Sequence, residues 1–242
     1  MTGPRVVAAE ALDHLAPGDP AAQRSRRDLM RVHGAMGTRP ILCRAWQALL
    51  PEPRGLSPLR ILEIGAGDGR LLLGVARMLA PRWPRVQLTL LDRQDLVSPA
   101  TLASFAEVGW SASAEVSDVQ AWAERGPPTG APWDLISTNL FLHHFQSQAL
   151  SVLLAAMAAR TECFFACEPE RSWVARAGSH LVGLLGANAV TRADAVLSVR
   201  AGFCGQELAA HWPRGGRAWH TQEASSGLFS HCFSAQRIGS RA

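Results

Sequence analysis

Apolar positions along the chain form short runs that alternate with segments of helical periodicity. The runs predict five strands, at residues 59–64, 86–92, 111–116, 133–140 and 162–168. Apolar residues at helical spacing predict helices at residues 69–80, 99–108, 118–124, 147–159 and 171–186. Strands that alternate with helices of this length indicate an α/β fold with a parallel, doubly wound sheet.

Both ends of the chain depart from this alternation. Residues 1–20 are expected to be a loose leader, followed by helices at 21–36 and 41–50 and a linker rich in proline and glycine at 51–58. We therefore assign residues 1–58 to a leader and an N-terminal helical lid. Residues 59–242 form the α/β domain, with a mostly helical insert at 187–212. The strand-like segments 217–224 and 227–237 flank a Ser-Ser-Gly turn and predict an antiparallel hairpin at the sheet edge.

The composition of the chain limits the kinds of function that it can have. The chain has 242 residues, of which 48% are hydrophobic, and this supports one large domain with a substantial core. Its apolar runs fall short of the roughly 20 residues that a membrane span needs, so we expect a cytoplasmic protein without a span. All 24 basic side chains are arginine, which excludes lysine chemistry. The five cysteines contain no Cys-x-x-Cys pair, and we expect no metal.

The stretch "ILEIGAGDGR" places three glycines directly after a predicted strand. A dinucleotide fingerprint needs a third glycine where this chain has Arg70. Glu63 and Asp68 also bracket the turn, and carboxylates there would repel a pyrophosphate at the helix N-terminus. They suit a ligand with positive charge, such as an amino group and a sulfonium. The turn therefore favours S-adenosylmethionine over a nicotinamide cofactor.

Acidic residues follow the second and third predicted strands. Asp92 could accept hydrogen bonds from two ribose hydroxyls, or it could cap a turn. Asp118 could meet an adenine amino group, or it could be the N-cap of the next helix. The sequence leaves both alternatives open at both positions.

As a set, "ILEIGAGDGR", "LTLLDRQDL", "EVSDVQAW", "WDLISTNLFLHHF" and "FFACEPE" resemble the successive motifs of class I S-adenosylmethionine-dependent methyltransferases. The resemblance covers residues 59 to about 170. It implies a Rossmann-like seven-stranded sheet of order 3-2-1-4-5-7-6 with strand 7 antiparallel, the hairpin supplying strands 6 and 7. It also implies that S-adenosylmethionine is held by these residues: Glu63, Gly65, Ala66, Gly67 and Gly69 around the methionine portion, Asp92 and Arg93 at the ribose, Asp118 and Val119 at the adenine, and Asn139 and Leu140 near the methyl group.

A finer resemblance concerns the segments outside these motifs. "RSRRDLMRVHGAMGTRPIL", "LFLHHF", "GSHLVGLLGANAVTRADAVLSVRAGF" and "GLFSHCF" are similar to bacterial methyltransferases found beside type III polyketide synthases. This similarity implies a small phenolic or pyrone acceptor of secondary metabolism and methylation of its oxygen. C-methylation of an electron-rich ring remains an alternative, as does a cofactor-binding protein without catalysis.

Candidate catalytic and acceptor-binding residues follow the fourth strand and lie in the variable segments. His143 or His144 could act as the base, since a histidine of ordinary pKa, about 6.5, is mostly neutral at pH 7. Both could equally belong to the core beneath the site. Candidates for contact with the acceptor, each with ordinary packing as its alternative, are His180, Arg192, Asp194, Glu168 and His231.

Two further segments have competing interpretations. The arginine-rich run at 24–31 could touch nucleic acid, but we favour the solvated face of a helix, and the fourth strand lacks the Pro-Pro motif of amino-methyltransferases that act on DNA. Apolar side chains of the N-terminal helices and the insert are expected to form a lid over an apolar acceptor pocket: Leu29, Met30, Met36, Leu181, Leu184, Leu185 and Val190. The alternative is a second small core. The oligomeric state stays open.

Overall fold

The computed structural model describes residues 3–50, 57–126, 131–215 and 218–239. Most of the predicted linker at 51–58, and residue 217 of the predicted hairpin, lie outside these ranges. Seven strands form one sheet of order β3-β2-β1-β4-β5-β7-β6. They are β1 Leu59–Ile64, β2 Val86–Asp92, β3 Trp110–Val116, β4 Trp133–Asn139, β5 Thr161–Pro169, β6 Trp219–Ser226 and β7 Ser230–Arg237. β7 pairs antiparallel with β5 and β6, and the other neighbours are parallel. The predicted fold class and strand order are confirmed.

Helices cover both faces of this sheet, with nine α-helices in the described ranges. They are α1 Pro20–Met36, α2 Thr38–Leu49, α3 Arg70–Leu79, α4 Pro99–Glu107, α5 Val119–Glu124, α6 Ser147–Ala158, α7 Trp173–Leu181, α8 Ala189–Ala201 and α9 Glu207–His211. Short 3-10 helices span Ala11–Asp13, Leu142–His144 and Val182–Leu185. α2 begins three residues earlier than the sequence predicts, because proline is tolerated in the first turn of a helix, where Pro40 lies.

The core consists of two apolar layers, one on each face of the sheet. Trp46, Leu72 and Trp83 belong to the layer between the sheet and α2, α3 and α4. Leu153 and Trp212 belong to the opposite layer, which α5, α6 and α9 cover. Burial on both faces explains why the central strands are continuous apolar runs rather than alternating ones.

The N-terminal segment is bound to the body of the protein, so the expectation of a loose leader is wrong. The Arg5 guanidinium donates to the carbonyls of Ala201 and Phe145 at 2.7 and 2.9 Å. The backbone N–H groups of Ala11 and Leu12 donate to the Asp194 carboxylate at 2.8 and 3.0 Å. These long-range bonds satisfy backbone groups that a leader would otherwise leave to water. Within the described ranges, no helix is both long and apolar enough to cross a membrane.

Candidate cofactor and acceptor site

The glycine turn lies at the carboxyl end of β1, where the chain passes from the sheet into α3. Gly65, Gly67 and Gly69 all have positive φ, at 75°, 56° and 76°. A Cβ on Gly65 would lie 2.4 Å from the Phe141 ring, so glycine is required there for space as well as for conformation. The turn therefore presents bare backbone to the space above the sheet.

Glu63 and Asn139 end the neighbouring strands β1 and β4 beneath this turn. Asn139 Nδ2 donates to Glu63 Oε1 at 2.6 Å. Glu63 Oε2 and Asn139 Oδ1 are buried and have no hydrogen-bond partner among the described residues. Burial raises the pKa of Glu63 to about 7 against the opposing effect of the Asn139 hydrogen bond. Two buried acceptors without donors are a site for a cation or a donor group.

Asp92 and Asp118 occupy the predicted strand ends but already have backbone partners. Asp92 accepts from Gly67 N at 2.9 Å and from Gln94 N at 3.0 Å, so it also holds the glycine turn. Asp118 accepts from Gln120 N and Ala121 N as the N-cap of α5, one of its two predicted alternatives. Their contacts with ribose and adenine stay predictions, as do those of Arg93, which bonds Asp13, and Val119, which is buried.

A cavity of about 510 Å³ lies above Glu63 and the turn. Its lower wall includes Glu63, Gly65, Ala66, Gly67, Asn139 and Leu140. Leu140 has φ of 48°, the only positive φ among the described residues other than glycine. This conformation costs roughly 1–2 kcal/mol, and strain of this kind concentrates at binding sites.

The upper wall of the cavity comes from α1, α7, the 3-10 turn after α7, and α8. Most side chains that it presents are apolar: Leu29, Met30, Met36, Leu181, Val182, Leu184, Leu185 and Val199. Six of the seven residues that the sequence nominated for the lid line the cavity, and Val190 is the exception. Of the two N-terminal helices, α1 lines the pocket, in agreement with the predicted lid, whereas α2 packs in the core layer against the sheet. Opening and closing of that lid stays a prediction.

His143 is buried between two carboxylates. Its Nδ1 lies 2.8 Å from Glu168 Oε2, and its Nε2 lies 3.2 Å from Glu10 Oε1. Burial alone would lower the pKa of His143, but hydrogen bonds to Glu10 and Glu168 and their charges outweigh it and raise the pKa to about 9. The expectation of a mostly neutral ring at pH 7 is therefore wrong for His143.

His144 has a different environment although it is the next residue. Its side chain is 22% exposed, its Nδ1 lies 3.1 Å from Asp13 Oδ2, and it lines the cavity. Glu10, His143 and His144 also place potential ligand atoms within 4.8 Å of one another. Glu10 also pairs with His143, and His144 also pairs with Asp13, so the three side chains have partners within the protein. The absence of a metal stays a prediction.

Of the five residues predicted to contact the acceptor, Asp194 lines the cavity and the other four do not. Glu168 is fully buried, where it accepts from the backbone of Phe141, Leu142 and His143. His231 is buried between Glu170 and Glu223, at 2.8 and 2.7 Å. His180 and Arg192 are exposed on α7 and α8 and do not line the cavity. The structure thus places two of these residues in the core and two at the surface, and their contact with the acceptor stays a prediction.

The polar groups that do face the acceptor side were not all predicted. Asp194 on α8 was predicted, whereas Ser198 on α8 was not, and Glu10 and Asp13 come from the segment taken as a leader. Ser198 Oγ donates to Glu10 at 2.5 Å, across 188 residues of sequence. Contacts at such separation leave no local spacing signal, so sequence reasoning could not pair these groups.

Comparison with known proteins connects this fold to methyltransferases. No protein-family model and no curated protein sequence matches the chain. Among solved structures, the plantazolicin methyltransferase BpumL in complex with SAH aligns with a TM-score of 0.60 and 13% identity, over 91% of this chain and 92% of that one. Magnesium protoporphyrin IX methyltransferase (ChlM) from Synechocystis PCC 6803 with bound SAH aligns with a TM-score of 0.51 and 13% identity, over 94% and 91%.

A third similar structure is an O-methyltransferase family protein from Burkholderia thailandensis. It has a TM-score of 0.57 and 13% identity, and the alignment covers 95% of this chain but 62% of that protein. At these identities the likeness concerns architecture, and the strand order is the one found above. The chain therefore has the seven-stranded, Rossmann-like fold of class I methyltransferases.

Proposed function

We propose that this protein is an S-adenosylmethionine-dependent methyltransferase that methylates the oxygen of a small, largely apolar phenol or pyrone of polyketide type. The observation that carries the proposal is the pair of buried oxygens beneath the glycine turn, Glu63 Oε2 and Asn139 Oδ1, for which the described part of the chain supplies no hydrogen-bond donor. These two oxygens would repel a pyrophosphate bound beneath the turn. An α-amino group beside a sulfonium would supply both the missing donors and the countercharge.

The residues around the turn fit the cofactor in size as well as in charge. Glu63 and Asn139 would hold its amino group, and the open backbone at Gly65 and Gly67 would let its methionine portion lie close to the sheet. Asp92 would accept from the ribose, because each carboxylate oxygen has a second lone pair beyond its backbone bond. The bound cofactor would supply an electrophilic methyl group on sulfur.

The upper wall favours an apolar acceptor. Leu29, Met30 and Leu185 would enclose its ring or chain, and closure over them would exclude water that competes for the methyl group. Alignment of the nucleophilic oxygen with the methyl carbon is the main catalytic requirement of a direct displacement.

We assign the base to His144 rather than to His143. His143 already shares its protons with two carboxylates, whereas His144 faces the cavity and has Asp13 to orient its Nδ1–H. The acceptor hydroxyl would give its proton to His144 Nε2. The oxygen would then form its bond to the methyl carbon as the sulfur–carbon bond breaks.

Methyl transfer to a panel of phenols and pyrones tests this function. With labelled S-adenosylmethionine, we expect turnover that increases with the apolar size of the acceptor, and a methoxy product by NMR. His144→Gln should lower kcat by about 100-fold or more, in line with loss of a general base. His180→Gln, which alters an exposed histidine outside the cavity, is the matched control and should leave kcat unchanged.

Two results would contradict the proposal. A ring-carbon methyl group in the product would assign the activity to C-methylation. Binding of the cofactor without turnover of any phenol or pyrone would favour a protein that binds S-adenosylmethionine without this catalysis.

A further inference from the structure

Five large apolar side chains are exposed on α7, on the 3-10 turn after it and on the turn between β6 and β7. Trp173 is 81% exposed, Leu181 57%, Leu184 83%, Leu185 40% and Leu228 65%. We call this set the apolar rim. Trp173, Leu181 and Leu184 are spaced by eight and three residues along α7 and the 3-10 turn that follows, which places them on one side of the helix. Large apolar side chains that are exposed on one side of a helix in this number are typical of a surface that contacts another apolar phase.

Leu228, the fifth member of the apolar rim, lies near α7 because the next residue, Phe229, packs against this helix. Phe229 contacts α7 at Gly178, where a Cβ would lie 2.7 Å from the ring. Leu228 precedes Phe229 in the turn between β6 and β7, so this turn lies beside α7. The apolar rim thus combines two separate chain segments.

Arginines border the apolar rim. The Cδ of Arg192 would lie 3.1 Å from a Cβ on Gly183, and Nη1 of Arg31 would lie 3.7 Å from a Cβ on Gly186. Arg176 is exposed on α7 between Trp173 and Leu181. α1 continues the positive charge with exposed Arg24 and Arg27, which belong to the arginine-rich run of the sequence.

Asp28 neutralises part of the charge at this border, that of Arg31. Asp28 pairs with Arg31 at 2.7 Å, but its carboxylate is buried and also accepts from Asn188 N at 2.8 Å. The outward side of the border therefore presents guanidinium groups around apolar side chains. The proposed methyl transfer at the glycine turn and at His143 and His144 does not require the apolar rim or these arginines.

The cavity opens at the apolar rim, because Leu181, Leu184 and Leu185 line its wall and are exposed at the same time. An acceptor that enters the pocket passes between these side chains. A water-soluble acceptor would gain nothing from a leucine-lined entrance that is also exposed on its outer side.

We propose that the apolar rim and its arginine border dock this protein on an anionic lipid bilayer, from which apolar acceptors pass directly into the cavity. Trp and Leu side chains would enter the headgroup region, while the guanidinium groups pair with lipid phosphates. Docking goes beyond the proposed function, since binding to vesicles is measured without any methyl transfer and would stand if that activity failed.

Flotation of the full-length protein with lipid vesicles tests the proposal. We expect binding to vesicles that mix phosphatidylglycerol with phosphatidylcholine, weaker binding to pure phosphatidylcholine, and loss of the difference at high salt. Trp173→Ser and Leu228→Ser should each lower the partition coefficient at least about tenfold. Neither side chain lines the cavity. Val152→Ser on α6, 60% exposed and outside the rim, is the matched control and should bind like the wild type.

A second pair of variants tests the charge. Arg176→Gln with Arg192→Gln should weaken binding to the anionic vesicles only, whereas Arg77→Gln, exposed on α3, should not. Failure to bind either vesicle would overturn the proposal, and so would equal binding of all these variants. Concentration-dependent dimers that Trp173→Ser abolishes, without vesicle binding, would assign the apolar rim to a second copy of the chain.

Discussion

The two walls of the cavity are built in opposite ways. The lower wall is a set of strand ends: Glu63 and the glycines after it lie at the end of β1, and Asn139 ends the neighbouring strand β4. The upper wall joins segments far apart in sequence: Asp194 on α8 accepts from Ala11 N, and Glu10 bonds His143 across 133 residues. The lower wall is therefore part of the sheet, whereas the upper wall packs over the sheet through contacts between distant segments.

This difference in construction suits the two walls to different ligands, the lower wall to the cofactor and the upper wall to the acceptor. The lower wall is fixed by backbone hydrogen bonds of the sheet and suits a cofactor whose shape does not vary. The upper wall depends on side-chain contacts from the N-terminal segment, α7 and α8, which can change in sequence without disturbing the sheet. Variants on the two walls should therefore affect cofactor binding and acceptor turnover separately.

The largest effect is expected from Gly65→Ala in the lower wall. The new Cβ would overlap the Phe141 ring at 2.4 Å and force alanine into a left-handed conformation. We expect the free energy of unfolding to fall by about 2–4 kcal/mol, and cofactor affinity to fall on the order of 100-fold. Gly67→Ala is the control for strain without overlap, because a Cβ there meets no atom within 4 Å. Its cost in unfolding free energy should be near 1 kcal/mol, and equal costs for the two variants would contradict the steric argument.

Arg5→Ala should weaken the attachment of the N-terminal segment, which belongs to the upper wall, and leave the lower wall intact. The guanidinium bonds four carbonyls, those of Ala201, Phe145, Leu142 and His143, and stacks on Phe203 at 4.5 Å. Denaturant unfolding should show a loss of about 2–4 kcal/mol, and turnover of the acceptor should fall, while calorimetry shows little change in cofactor affinity. A parallel loss of cofactor affinity would contradict the separation of the walls.

A pH dependence of stability should come from His143, which joins the two walls. Glu10, Glu168 and the ring of His144 face it. Because its pKa is about 9 in the folded protein and 6.5 ordinarily, its contribution is complete below pH 6.5 and is lost as pH rises through 9. Urea unfolding at a series of pH values should show this decline, and His143→Gln should flatten it. Identical slopes in the two proteins would contradict the assignment.

The sequence predicted those features of the fold that depend on local patterns of residues. Strand runs, the glycine turn and the hairpin predicted the elements of the sheet, because each depends on residues within one element and its neighbours. The strand order came from the resemblance to class I methyltransferases. Asp118 shows the limit of such patterns: one acid at a strand end fits both a cap and a ligand contact, and the structure shows the cap.

The acceptor side could not be predicted in the same way. His180 and Arg192 were chosen for their residue type in a variable segment, and both are exposed. Glu10 and Asp13, which do line the cavity, looked like parts of a loose leader. Their role depends on a tertiary contact with α8, and no periodicity or spacing within residues 1–20 encodes that contact.

Calorimetric titration of S-adenosylmethionine into the wild type and Glu63→Gln tests the central claim, that the lower wall is a site for a cationic methyl donor. We expect saturable binding that weakens at least about tenfold in the variant, because the charged acceptor of the amino group is lost. Wild-type affinity should rise as pH increases through about 7, where Glu63 ionises, and the variant should lack this rise. NADH should give no binding heat. Equal affinity of the two proteins for S-adenosylmethionine, or saturable binding of NADH, would contradict the account.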